Sequence, residues 1–131
     1  MSKDLVLHQV TEILNKNNIL YLYDMVNTLE IVYEDIDLSF AIQIEYVEEH
    51  KMLLFSTFLG EVKSKNPLEL INDLNINTLL GYFVYYKDNN ISWHYSTIFI
   101  ENNLKISPEL FLKQLDMTKQ TAIKSKEILN K

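Results

Sequence analysis

The sequence predicts an α+β fold: an antiparallel β-sheet of about five strands, packed by an N-terminal helix, a short middle helix and a long C-terminal helix. Three observations carry this. Residues 38–47 and 51–59 form two extended segments, the first with strict apolar–polar alternation, joined by a short polar turn. Residues 79–86 and 91–100 form a second pair around Lys87-Asp88-Asn89-Asn90, residue types that accept the positive φ of tight hairpin turns. Helical spacing lies before, between and after these pairs, and helices segregated from hairpins indicate an antiparallel sheet.

The elements follow in order. Over residues 3–16, Val6, Val10, Ile13, Leu14 and Asn17 fall at steps of four, three, one and three, one apolar stripe of a helix. Asn17-Asn18 ends it, since asparagine tolerates a left-handed cap. Residues 19–33 are rich in β-branched and aromatic side chains. Strand character is strongest at 29–33, with a turn expected at 24–28 and a helical continuation as the alternative. In the first hairpin, Leu38, Phe40, Ile42, Ile44 and Tyr46 take one face, and Ser39, Ala41, Gln43 and Glu45 the other. Asn66-Pro67-Leu68-Glu69 starts the middle helix, with asparagine as cap, proline at the first helical position and glutamate for a capping box. Leu70, Ile71 and Leu74 make its apolar side. Ser107-Pro108-Glu109 starts the last helix in the same way, and Phe111, Leu115, Thr118 and Ala122 run along its buried side, continued by Ile128 and Leu129.

The chain has 131 residues, the length of one domain, so residues 1–131 are expected to form a single one. Apolar residues make up 47% and charged residues 23%, as in folded soluble proteins. There is no cysteine, which removes disulfides, thiolate metal sites and cysteine nucleophiles together and fits a reducing cytoplasm. The start, MSKDLVLHQVTEIL, has no apolar run of signal-peptide type, and no apolar run approaches the ~20 residues that span a bilayer, so no membrane association is expected. Net charge is −6, and all twelve basic residues are lysine. Without arginine, the preferred fork for phosphate and guanine, no nucleic-acid partner is expected. Five lysines against two acids over 113–131 read as a solvated helix face. Abundant lysine, asparagine and isoleucine with two glycines indicate an AT-rich, bacterial source.

The stretches "NPLELINDLNIN", "GYFVYYKDNNISWHYS" and "SPELFLKQLDMTKQTAIKSKEIL" occur in an order that resembles the YbjN family. That family is described as sensory transduction regulators and is similar in fold to type III secretion chaperones. The shared features are a short helix ending in spaced asparagines, a hairpin with an Asp/Asn turn, and a long, polar-capped last helix. The resemblance implies a helix-packed, five-stranded antiparallel sheet and a protein that works by contact, possible as a homodimer. It supplies no catalytic residue. Asn89-Asn90 stands where a glycine turn is commoner, and the N-terminal third matches only by shape.

No reaction is legible in the residues. His8, His50 and His94 have no ligand spacing, so no metal or other cofactor is expected. Glu30, Glu34, Asp35, Asp37, Glu45, Glu48 and Glu49 cluster in turn-like sequence without a calcium-loop pattern, and read as a solvated acidic rim. There is no Gly-x-Ser-x-Gly elbow, and Gly60 and Gly81 cannot build a phosphate loop.

The aromatic hairpin remains. On its second strand Ile91, Trp93, Tyr95, Thr97 and Phe99 oppose Ser92, His94, Ser96 and Ile98. The more apolar Trp93 side is expected to be core. A regular tight loop pairs Tyr86 with Ile91, whereas a loop one residue longer or a bulge sets Phe83 and Tyr85 beside Trp93. The resemblance favours Phe83 and Tyr85 inside, leaving Tyr82 and Tyr86 outside. Outward tyrosines suit a docking surface, and the plainer reading is edge packing under a helix. His94, between Trp93 and Tyr95, is the third candidate contact, or simply a polar residue on a half-exposed strand. The expectation is a non-enzymatic protein-interaction domain, chaperone-like or regulatory, binding a protein partner through Tyr82, Tyr86 and His94. The alternatives are a small-molecule or ion sensor with a pocket between the last helix and the sheet, or an acidic immunity or antitoxin protein.

Overall fold

The structure, a computed structural model, describes residues 2–23, 28–34 and 38–130. Among them are three helices, α1 (Ser2–Lys16), α2 (Pro67–Asn77) and α3 (Pro108–Leu129). Six strands are described: β1 (Leu22–Tyr23), β2 (Leu29–Glu34), β3 (Ser39–Val47), β4 (Met52–Glu61), β5 (Tyr82–Tyr86) and β6 (Ile91–Phe99). They form one antiparallel sheet in the order β1-β2-β3-β4-β6-β5. The sixth strand beyond the expected five is the two-residue β1. The acidic positions Asp35 and Asp37, and most of the turn expected at 24–28, lie outside the described residues.

The helices lie on one side of the sheet. α1 packs on β3, α3 crosses β3, β4 and β6, and α2 packs on β5. The core is the alternate-residue face beneath them: Ile42 and Ile44, Leu53 and Phe55, and Phe83, closed by Val6, Val10 and Leu14 of α1 and Phe111 and Leu115 of α3. Phe55 and Phe111 meet at 5.8 Å between ring centres. The periodicity therefore places the apolar buried positions of α1, β3 and α3, except that Asn17 of the expected α1 stripe is exposed and Leu7 joins the core in its place. Asn18 takes φ 56, the left-handed stop expected of it. A 3-10 turn over Glu48–His50 closes the β3–β4 hairpin.

Two details depart from the expected caps and strand ends. Ser107 caps α3, accepting from the Leu110 amide at 3.2 Å, but Asn66 makes no side-chain cap on α2. Its amide is instead turned back to Ser64 Oγ at 3.1 Å. The strand expected from residue 79 begins at Tyr82, because Gly81 holds φ +70 against β6. A Cβ at Gly81 would run into the Tyr95 carbonyl oxygen and crowd His94 Nε2 at 3.0 Å. That backbone conformation and that approach both need glycine.

Side-chain amides complete the frame by standing in for a missing strand. β5 is an edge strand, and Phe83 turns its backbone groups outward from the sheet. Asn75 of α2 takes both: the Phe83 amide donates to Asn75 Oδ1 at 2.7 Å, and Asn75 Nδ2 donates to the Phe83 carbonyl at 3.1 Å. Gln9 of α1 does the same for the loop before α3, donating to the Leu104 carbonyl at 2.6 Å and accepting from the Ile106 amide at 2.9 Å. Asn75 thus ties α2 to the sheet and blocks one outward backbone pair of the edge, the kind of open edge that otherwise recruits strands.

Asn75→Ala strips both bonds from Phe83 and is expected to cost about 1–3 kcal/mol in urea unfolding, with an unchanged m-value. Gly81→Ala is expected to cost more than about 1 kcal/mol, because the strained φ and the clash add. A neutral result in either measurement contradicts the contacts described.

Candidate protein-binding face

The face of β6 turned to the helices is the less apolar one. Ser92, His94, Ser96 and Ile98 are buried, while Trp93, Tyr95 and Thr97 are half-buried and Phe99 is 73% exposed on the opposite side. This corrects the expectation that the Trp93 side is core. The reason is that each buried polar side chain on β6 finds at least one partner at short range. Ser92 Oγ donates to the Val84 carbonyl at 2.9 Å. Ser96 Oγ lies 3.3 Å from Thr118 Oγ1 of α3. His94 Nε2 lies 2.7 Å from the Leu80 carbonyl. Buried polar groups that are paired cost little, and small ones let a helix approach closely.

His94 is consequently a core residue with no surface for a partner, at 0% exposure. Its ring packs on Phe83 at 4.8 Å. The bond to Leu80 requires the proton on Nε2, which leaves Nδ1 as a bare acceptor, and Nδ1 has no partner among the described residues. Thr57, its cross-strand neighbour, also has an unpartnered hydroxyl. Burial pushes the His94 pKa below the usual imidazole value, opposed in part by the Leu80 bond.

With β6 oriented this way, the large side chains of three neighbouring strands gather on the outer face. Phe58 of β4 pairs with Trp93, Val84 pairs with Trp93 from the other side, and Tyr82 pairs with Tyr95. Their rings form a continuous run. Phe58 to Trp93 is 5.2 Å, Trp93 to Tyr95 is 6.1 Å with planes 13° apart, and Tyr95 to Tyr82 is 5.7 Å. Tyr86, on the same face, brings its hydroxyl to 3.3 Å from that of Tyr95. Burial first, then this bond and the neighbouring tyrosines, raise the Tyr95 pKa, so the phenol stays neutral at ordinary pH. Tyr82 and Tyr86 are 51% and 43% exposed, and Phe58 is 42% exposed. Among the described residues no helix covers this face.

The hairpin loop that produces this arrangement has four residues. Tyr86 pairs with Ile91 around Lys87–Asn90, and Asn90 takes φ 54. Phe83 and Tyr85 point inward as expected, but beside His94 and Ser92 rather than Trp93. Phe58, Trp93 and Tyr95 were missed as surface residues. The available signal was the small residues Thr118, Ala122 and Ser125 along the buried side of α3, which call for a thin, close-packed partner. The acids Glu34, Glu45, Glu48 and Glu49 are exposed, and no group of three or more metal-ligating side chains converges among the described residues. Among them, too, no helix is long and apolar enough to cross a membrane.

No protein-family model matches the chain, and no curated protein matches it by sequence. Solved structures do match. A chain of the ExsC–ExsE complex is similar at a TM-score of 0.75 and 13% identity, over 97% of this chain and 95% of its own. YbjN from E. coli is similar at 0.65 and 14% identity, over 92% and 91%. A chain of the HopA1–SchA chaperone–effector complex is similar at 0.58 and 13% identity, over 90% and 87%. The fold is therefore the one shared by YbjN and type III secretion chaperone complexes, as the order of elements implied.

His94 supplies a pH test of the corrected core. Its pKa is lower in the folded than in the unfolded chain, so on acidification the unfolded chain takes up the proton first. Stability is then level above about pH 7 and falls as pH drops through about 6.5 toward the folded-state value. Urea unfolding at pH 7.5 and pH 5.5 is expected to show this loss in the wild type and a smaller one in His94→Gln. Equal losses in both would exclude His94 as its source.

Proposed function

We propose that this chain is a non-enzymatic, chaperone-like protein-interaction domain, and that its partner docks on the outer face around Tyr82 and Tyr86. The observation that carries this is the inversion of β6. The fold buries two serines and a histidine and leaves a tryptophan, a phenylalanine and three tyrosines gathered on a face that no described helix covers. A contiguous aromatic surface of this kind marks an interaction site more often than scattered exposed residues do. Tyrosine and tryptophan give contact area at low cost in side-chain entropy.

Charge narrows the partner. On the same face, Glu30 and Glu45 lie over β2 and β3, with Gln43, Ser56 and Leu54 between them and β6. A segment with apolar side chains and basic flanks matches both halves. The fold likeness is consistent with a contact role, since two of the similar structures are complexes, one of them between a chaperone and an effector. The Asn75 clamp favours docking on the face over strand addition at the β5 edge. A regulatory use of such binding, a cytoplasmic site of action and the homodimer are parts of this reading that the same experiment addresses.

Affinity capture with mass spectrometry, wild type against Tyr82→Ala/Tyr86→Ala, tests it, with sedimentation of both proteins alongside. The wild type is expected to retain a protein bearing a basic, apolar segment, lost from the double variant and weakened by salt. The variant's own stability should change by less than about 1 kcal/mol, as for exposed positions. Identical capture by both proteins, or self-association through this face with nothing else retained, would overturn the reading.

A further inference from the structure

The helical side of the sheet carries a second feature, independent of the outer face. α2 and α3 do not close over β5. Between them lies a groove of about 540 Å³, in the range of small-molecule sites. Phe83 and Leu80 line it from the sheet side, Leu74 from α2, and Met117 and Ile128 from α3. Its polar groups are distributed unevenly. Thr121 and Ser125 line the α3 side but spend their hydroxyl hydrogens on the Met117 and Thr121 carbonyls. Gln120 and Lys124, one turn apart on α3, both line the groove, and among the described residues neither makes a side-chain hydrogen bond or ion pair. Asp73 stands on the α2 side.

We propose that this groove binds a small amphipathic acid, its apolar body on Phe83, Leu74 and Leu80 and its carboxylate between Gln120 and Lys124. Size and lining exclude a folded partner and suit a short hydrocarbon chain or an aromatic ring. The head group follows from the charges: the lining cation, Lys124, stands with Gln120 on α3, and Asp73, beside Asn77 and Thr78, repels an acid from the α2 side, which fixes the direction of binding. A lysine on a flexible stem can reach over an apolar groove to such a head group.

The test is an amide-resolved NMR titration of the full chain with decanoate below its micelle concentration, with decylammonium and decanol as parallel arms. Decanoate is expected to give saturable shifts at Phe83, Thr121 and Lys124, and to bind more tightly than either analogue. Lys124→Ala should weaken it about tenfold, the scale of one charge-assisted hydrogen bond lost. Thr121→Trp, filling the groove, should abolish it. Tyr82→Ala/Tyr86→Ala, on the opposite face, should leave it unchanged, which separates this site from the docking face. Decylammonium binding as tightly as decanoate, shifts confined to the outer face, or full affinity in Lys124→Ala would each overturn the proposal. Lys124→Ala is a surface change that folds, so the test does not depend on Thr121→Trp.

Discussion

Small polar side chains at the seam between α3 and β6 are the constraint on which the rest of the structure depends. α3 presents Thr118, Ala122 and Ser125 on its buried side, and β6 presents Ser92, His94 and Ser96. Thr118 and Ser96 touch through their hydroxyls. Because each small group is bonded locally, the helix lies close to the strand at little desolvation cost. A one-residue change in register would place Trp93 and Tyr95 under α3, where their volume leaves no room at native packing density. The seam therefore selects the face, and the aromatic residues take the other side as a consequence.

The two sides of one sheet are thus differently equipped. The helical side is a conventional core over β2, β3 and β4, thinning toward β5, where α2 and α3 part and the groove opens above Phe83. The outer side is aromatic over β4, β6 and β5 and acidic over β2 and β3. His94 and Gly81 connect the two. The Leu80–Gly81 turn is drawn onto β6 by the His94 bond, and this sets where β5 starts. Tyr82 and Phe83 then point to opposite faces, one to the aromatic outer side and one into the groove.

Amide side chains do in this fold what further strands do in larger sheets. Asn75 satisfies the edge at Phe83, and Gln9 satisfies the loop at Leu104 and Ile106. Asn90 donates to the Val62 carbonyl and accepts from the Tyr85 hydroxyl, joining the hairpin turn to the end of β4. Each is a polar residue whose partner lies far along the chain or across an element. Sequence spacing does not announce such pairs, and Asn75 looked like no more than the end of a helix.

Local pattern alone determined the fold class, the three helices, both hairpins, the left-handed stop at Asn18 and the cap at Ser107. These rest on periodicity and on backbone preferences of single residues, which need no knowledge of neighbours. The facing of β5, with Phe83 inward and Tyr82 and Tyr86 outward, was left open by the pattern and favoured only by the family resemblance. Tertiary structure alone decided which face of β6 is core, that His94 is buried, that Asn75 clamps the β5 edge rather than merely ending a helix, and that a groove opens between α2 and α3. The physical reason is the same in each case. An alternating strand has two faces, and composition ranks them only by apolarity. The winner is the face whose volume and hydrogen bonds match the helix laid upon it, and that match exists only once Thr118 of α3, 22 residues beyond Ser96, is in place.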